Sequence, residues 1–181
     1  GYIGENVTQL QHATQCAMLA ESYCKKENIK KPLKTELVTG CFLHDIGHLL
    51  TFEDKKYKLM GDYGVMNHEN MGSNYLRNIG FTENVCQFVE NHIMTKRYLI
   101  TKNDSYYNNL SEASKKTFEY QGGKLTSTEI TQFENNKLFE FHLKIREWDD
   151  LAKSTEKIML ETIANMKAPE YYHNLYIQDK S

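Results

Sequence analysis

Proline is nearly absent from this chain, at two in 181 residues, and no alternating apolar and polar run reaches useful strand length. Proline breaks helix interiors, so its scarcity together with the missing strand pattern leaves an all-α architecture. No low-complexity stretch and no internal repeat interrupts it, so residues 1–181 are expected to form a single domain. The four cysteines, Cys16, Cys24, Cys41 and Cys86, form no C-x-x-C pair and no closely spaced framework. A disulfide scaffold is thereby excluded, and a reducing cytoplasm is the expected location. No apolar run is long enough to cross a membrane. The chain starts at Gly1 with no Met and no charged-then-apolar leader, an expectation that preceding residues were removed or lost. Excess positive charge is also missing, with 22 Lys and Arg against 24 Asp and Glu and a net charge of −2. Neither nucleic acid nor an anionic membrane is an expected partner, because both are met by clustered cations. Any anionic ligand has to be held locally.

What remains is a series of helices. Apolar spacing predicts one over about Thr8–Lys26 and a second over Leu33–Leu50. A third is expected over Gly64–Asn78, stopped by Gly80, and a fourth capped by Thr82 and running to about Leu99. Ser111 opens a short helix that ends at Gly122-Gly123, and Thr126 with Glu129 makes a capping box for the next. Lys137–Ala152 reads as one more helix, Pro169 opens a final short one, and the segment from Lys102 to Asn109 reads as a solvated loop.

Six residues on these segments form an ordered set: His12, the adjacent His44-Asp45, His68, His92 and Asp149. Each histidine alone is more simply an ordinary core or surface residue. Together they are an N/O donor set of the kind that binds iron, manganese or zinc, and a carboxylate can bridge two ions where an imidazole cannot. Asp45 is the candidate bridge. On a continuous helix His44 and His48 would share a face while Asp45 points about 100° away. Gly47 between them would admit a close neighbour. Lys96 follows His92 by four and Arg146 precedes Asp149 by three, so both cations can project from the faces that carry the ligands and hold an anion. The bland alternative is that they only neutralise ligand carboxylates, a duty that suits Arg146 better than Lys96. Ser114 and Gln121, seven apart, can share a face as neutral donors. His142 and His173 have no matching partner spacing, and Tyr98, Tyr106 and Tyr107 carry no assignment.

The order His12, His44-Asp45, Asp149 resembles the H…HD…D signature of the HD-domain superfamily, whose members are all-helical and metal-dependent. Many are mononuclear phosphohydrolases. With His68 and His92 added, the chain is more similar to the mixed-valence di-iron oxygenases of that superfamily. Among these it looks closest to the PhnZ-type phosphonate dioxygenases, through Tyr2-Ile-Gly-Glu5, His92-x-x-x-Lys96-Arg-Tyr-Leu, Leu-Ser-x-Ala-Ser114, Glu-Tyr-Gln121-Gly-Gly and Leu-Lys-Ile-Arg146-x-Trp-Asp149.

The resemblance implies an HD-type helical bundle with a dinuclear centre in its core. One ion would take His12, His44, Asp45 and Asp149, and the other Asp45, His68 and His92, as an Fe(II)/Fe(III) pair. It implies O2-dependent cleavage of the C–P bond of a small organophosphonate, foremost (1R)-2-amino-1-hydroxyethylphosphonate, giving glycine and phosphate. Tyr2 would cover an iron position until substrate displaces it, and Glu5 would meet the substrate's ammonium. His48, Lys96, Ser114 and Gln121 would hold the remainder of the substrate, while Arg146 would orient Asp149. Three alternatives stay open: the same chemistry on hydroxymethylphosphonate or an N-methylated aminophosphonate, a mononuclear phosphohydrolase, and a regulatory module that senses a metabolite without turnover.

Overall fold

The structure, a computed structural model, describes residues 5–52 and 57–180. Among these residues the chain is helical throughout, and the nearest approach to sheet is one antiparallel bridge between Leu59 and Val65. The first helix, α1, spans Gln9–Lys26. It begins with a reciprocal cap: the Gln11 N–H donates to Thr8 Oγ1 at 3.0 Å, and the Thr8 N–H donates to Gln11 Oε1 at 2.8 Å. Its inner face is built of small residues, Cys16, Ala17, Ala20 and Cys24, all essentially inaccessible to solvent. Small side chains let α2 (Leu33–Leu43) lie close against it.

Leu37, Val38 and Cys41 of α2 meet that face, together with Phe88, Ile145, Trp148 and Tyr172 from later helices. This is the main core, and truncating a residue such as Leu37 to Ala would cost about 2–5 kcal/mol. Gly40 is required at the crossing, since a Cβ there would lie 2.7 Å from Phe88 Cβ.

The expected second helix does not run to Leu50. It stops at Leu43, and after a turn through His44 and Asp45 the chain continues as a 3-10 helix over Ile46–Phe52. A 3-10 turn eclipses residues three apart, and the His48 N–H accordingly donates to the Asp45 carbonyl at 3.0 Å. The two histidines therefore do not share a helix face. The tightening sets His48 beside Asp45 instead.

The third helix, α3, covers His68–Asn78, starting four residues later than expected. Gly80 ends it at φ +97°, and the Phe81 N–H closes back on the Leu76 carbonyl at 3.0 Å. The single helix expected from Thr82 is two, α4 (Glu83–Glu90) and α5 (His92–Lys102), broken at Asn91. Thr82 holds the N-cap position in extended conformation, but its hydroxyl makes no capping bond. The segment read as a loop contains a short helix, α6 (Asp104–Asn109), followed by α7 (Glu112–Tyr120).

The Thr126–Glu129 capping box forms as expected and opens α8 (Ser127–Glu134). Two helices close the core, α9 (Phe139–Leu151) and α11 (Ala168–Lys180), with α10 (Lys157–Met166) between them. The final helix is longer than expected, and α10 had no clear signal in the sequence. The six candidate ligands come from α1 (His12), the turn after α2 (His44 and Asp45), the start of α3 (His68), the start of α5 (His92) and α9 (Asp149).

Candidate metal centre and anion pocket

All six candidate ligands are brought together, and all are buried: His12, His44, Asp45, His68, His92 and Asp149. A shared device orients the four histidines. Each donates its Nδ1–H to a backbone carbonyl: His12 to Ala152 at 2.9 Å, His44 to Cys41 at 2.6 Å, His68 to Val65 at 3.2 Å and His92 to Val89 at 2.6 Å. Cys41 and Val89 lie in the last turns of α2 and α4, and Ala152 is the C-cap of α9. Carbonyls at helix ends lack an intrahelical donor, so the breaks that shorten these helices supply the acceptors that fix the imidazoles.

With Nδ1 protonated, each Nε2 faces the centre with a lone pair, the tautomer suited to a metal. His12 Nε2 and His44 Nε2 lie 3.1 Å apart, and His68 Nε2 and His92 Nε2 3.0 Å apart. Lone pairs facing each other at this distance repel unless a cation joins them.

Asp45 sits between the two pairs. Its Oδ2 lies 3.2 Å from His44 and 3.6 Å from His12, whereas its Oδ1 lies 3.2 Å from His68 and 3.4 Å from His92. Asp149 joins the first pair only, with Oδ1 3.0 Å from His12 and 3.4 Å from His44. Asp45 Oδ2 and Asp149 Oδ1 are buried and accept no hydrogen bond among the described residues. Buried acceptors left without donors are costly, and here they converge with the imidazole lone pairs. The donor set therefore fits metal ions, and the group His12, His44, Asp45 and Asp149 has the spacing to hold one.

The electrostatics agree. Burial pulls the His44 imidazole down, but Asp45 and Asp149 outweigh it and raise its pKa well above the usual value. Burial likewise raises Asp45, yet His44, His68 and His92 hold its pKa well below the usual carboxylate range. Asp149 is held low against burial by Arg146 and His44. The carboxylates thus favour positive charge at this spot, carried by a proton or by a metal. Burial pushes His92 down, keeping its ring neutral.

His48 differs from the other four. The Val65 N–H donates to its Nδ1 at 3.2 Å, so Nε2 carries the proton and turns a donor towards Asp45 Oδ1 at 3.9 Å. Burial and the neighbouring His68 push its pKa down to about 3, so it stays neutral. Its ring stacks on His68 with centroids 3.9 Å apart. The close approach expected at Gly47 is present, since a Cβ there would come within 1.9 Å of the His68 carbonyl oxygen.

A cavity of about 60 Å³ opens onto the second histidine pair, lined by Glu5, His48, Lys96, Ser114, Gln121 and Arg146 among others. Tyr2 lies outside the described residues. Lys96 is 2% exposed and donates to Thr117 Oγ1 and to Gln121 Oε1, both at 2.8 Å. Burial, then the nearby Arg146, lowers its pKa to about 7. Arg146 Nη1 meets Asp149 Oδ2 at 3.0 Å and Nη2 meets Asp150 Oδ1 at 2.6 Å, so its guanidinium is committed to two carboxylates. Gln121 is the C-cap of α7 rather than a residue within it, and Ser114 lines the cavity from the first turn of that helix.

Three neighbours were missed by the sequence reading. Thr117 lies three after Ser114 on α7 and could have been found by helical spacing. Tyr106, which donates to Asp150 Oδ2 at 2.5 Å, and Lys153, which bonds Glu5 at 2.9 Å, have no local signal. His142 is apart from the site, buried against Phe88 and Phe133, and its pKa is lowered by burial to about 4. His173 lines a separate apolar cleft. The four cysteines are free and buried, and no helix among the described residues is long and apolar enough to cross a membrane.

Comparison with known proteins agrees with this geometry. Residues 10–119 match the HD domain model. An uncharacterised protein of Acanthamoeba polyphaga mimivirus is 41% identical over 177 residues, covering 98% of this chain and 74% of that protein. A hydroxymethylphosphonate dioxygenase of Gimesia maris is 37% identical over 154 residues, 84% of this chain and 71% of its own length. A glycine-betaine-forming 1-hydroxy-2-(trimethylamino)ethylphosphonate dioxygenase of Leisingera caerulea is 33% identical over 172 residues, 95% and 78% of the two chains. The chain belongs to the HD-domain superfamily, among its PhnZ-type phosphonate dioxygenases.

Proposed function

We propose that this protein uses O2 to cleave the C–P bond of a small 1-hydroxyphosphonate at a pair of iron ions, Fe(II) and Fe(III). The observation that carries the reading is Asp45, whose two oxygens face separate histidine pairs beside a cavity walled by a buried lysine. His12, His44, Asp45 and Asp149 would hold one ion, and Asp45, His68 and His92 the other. When bound, the metal pair supplies the redox chemistry that no side chain here provides. Sites of this composition also accept other divalent metals, and iron is chosen for its competence with O2.

The overall change balances as R–CH(OH)–PO3²⁻ plus O2 giving R–COO⁻, HPO4²⁻ and one proton. The C–P bond breaks, carbon is oxidised to a carboxylate and phosphorus leaves as phosphate. The protein's part is orientation and charge compensation. Lys96 would meet the phosphonate oxygens as a point charge, helped by the amide of Gln121 and the hydroxyl of Ser114. His48 would offer its Nε2–H to a substrate oxygen. Arg146 would act through Asp149, which it holds in place. The two named relatives bracket the substrate: one name carries a bare hydroxymethyl group and the other a cationic trimethylamino group. 2-Amino-1-hydroxyethylphosphonate, which yields glycine, falls between them.

The mononuclear phosphohydrolase is the second reading, favoured only by the superfamily's default. The two are separated by assaying the iron-loaded protein on phosphate esters without O2 and on 1-hydroxyphosphonates with O2. Phosphate released only from the phosphonates, and only with O2, supports the oxygenase. Ester hydrolysis under anaerobic conditions, undiminished in His92→Ala, would replace it.

A further inference from the structure

The cavity is built for an anion, yet it contains one carboxylate that takes no part in the ligand clusters. Glu5 belongs to neither of the His and carboxylate groups with metal-ligand spacing among the described residues. It is engaged instead by Lys153, whose Nζ donates to Glu5 Oε1 at 2.9 Å. Both side chains line the cavity together with Lys96, Arg146 and Asp149. The pair is largely shielded, with side-chain exposures of 22% for Lys153 and 16% for Glu5. Lys153 belongs to the turn after α9, two residues beyond the Leu151 that ends that helix, and the Lys153 N–H donates to the Leu151 carbonyl at 2.8 Å. That backbone bond and the helix end anchor the base of its side chain.

A carboxylate in the wall of an anion pocket would recognise a cationic group on the ligand. In this chain a cation already occupies it. An ammonium-bearing ligand would have to displace Lys153 from Glu5 or bring its own charge beside that of Lys153, and like charges at close range are unfavourable. A ligand with no cationic end meets no such conflict and keeps the ion pair intact.

We infer that Lys153 is a specificity-determining residue: as the built-in counter-ion of Glu5, it selects compact 1-hydroxyphosphonates without a cationic end over those bearing an ammonium. The inference rests on the phosphonate reading above and chooses within it. It places hydroxymethylphosphonate ahead of 2-amino-1-hydroxyethylphosphonate and of the trimethylamino analogue.

The test is calorimetric titration of the iron-loaded protein under anaerobic conditions, where ligands bind without turnover. Hydroxymethylphosphonate and 2-amino-1-hydroxyethylphosphonate are compared on the native chain, on Lys153→Met and on Lys153→Arg. The native chain binds the hydroxymethyl compound more tightly. Lys153→Met shifts the ratio of the two affinities towards the amine by roughly tenfold or more, the scale of one charge-assisted contact. Lys153→Arg keeps the native ranking, because a guanidinium still pairs Glu5. A native preference for the amine, or a ratio unmoved in Lys153→Met, would overturn the inference, as would binding of neither ligand. Phosphate release measured separately with O2 decides the phosphonate reading. A protein that ranks the ligands as stated but releases no phosphate sinks that reading and leaves the role of Lys153 intact.

Discussion

Lys96 donates to Gln121 Oε1 at 2.8 Å from a position where it is 2% exposed. Among the described residues no carboxylate forms an ion pair with this buried lysine, and under the proposed function its charge would meet the incoming phosphonate. Lys96→Met is expected to lower kcat/KM roughly ten- to a hundredfold, the range of a hydrogen bond to a charged group. Steady-state kinetics on hydroxymethylphosphonate check it, with the loss falling mainly on KM.

The same lysine sets a pH dependence. Its pKa is lowered from 10.5 to about 7 by burial and by Arg146, so it loses its proton in the free protein as pH rises through 7. Substrate affinity should fall on the alkaline side, and Lys96→Arg should move that limb upward because a guanidinium keeps its charge. Stability moves the other way. Between about pH 7 and pH 10.5 the unfolded chain binds the proton that folded Lys96 has lost, so unfolding free energy increases with pH across this window. Urea melts of the native chain should show that increase, and melts of Lys96→Met should lack its share of it.

Gly47 lies against the His68 carbonyl oxygen, where a Cβ would approach to 1.9 Å. The obstacle is backbone and cannot swing aside. Gly47→Ala is expected to cost at least about 2 kcal/mol and to weaken metal retention by displacing His68. Denaturant titration and metal analysis of the same preparation measure both effects.

The inverted tautomer of His48 gives a further expectation. With Nδ1 accepting from Val65 and a pKa of about 3, its Nε2–H remains a neutral donor at every pH where the protein works. His48→Ala should reduce kcat/KM, His48→Gln should recover part of it through its amide N–H, and neither should alter the pH profile. A limb that vanished with His48 would show that the ring titrates during turnover.

The helical class and the capping box at Thr126 were legible because each depends on local spacing, and the six candidate ligands stood out by residue type and order along the chain. The helix breaks after Leu43 and at Asn91 were not legible. Both segments have continuous apolar patterning, and the breaks leave the carbonyls of Cys41 and Val89, each three residues back, to accept the Nδ1–H bonds that turn His44 and His92 towards residues distant in sequence. The partners Lys153 for Glu5 and Asp150 for Arg146 differ in legibility: Asp150 is four after Arg146 on one helix, whereas Glu5 and Lys153 are separated by 148 residues. Tyr106 was hidden because a segment read as a solvated loop forms a helix that carries its hydroxyl to Asp150.

The most direct test of the central claim is the ratio of O2 consumed to phosphate released by the iron-reconstituted protein, in native and His92→Ala forms, with hydroxymethylphosphonate as substrate. The proposed reaction predicts one O2 per phosphate in the native chain, two iron ions bound, and loss of turnover together with one of the two ions in His92→Ala. Phosphate release without O2, or full turnover by His92→Ala holding a single ion, would contradict it.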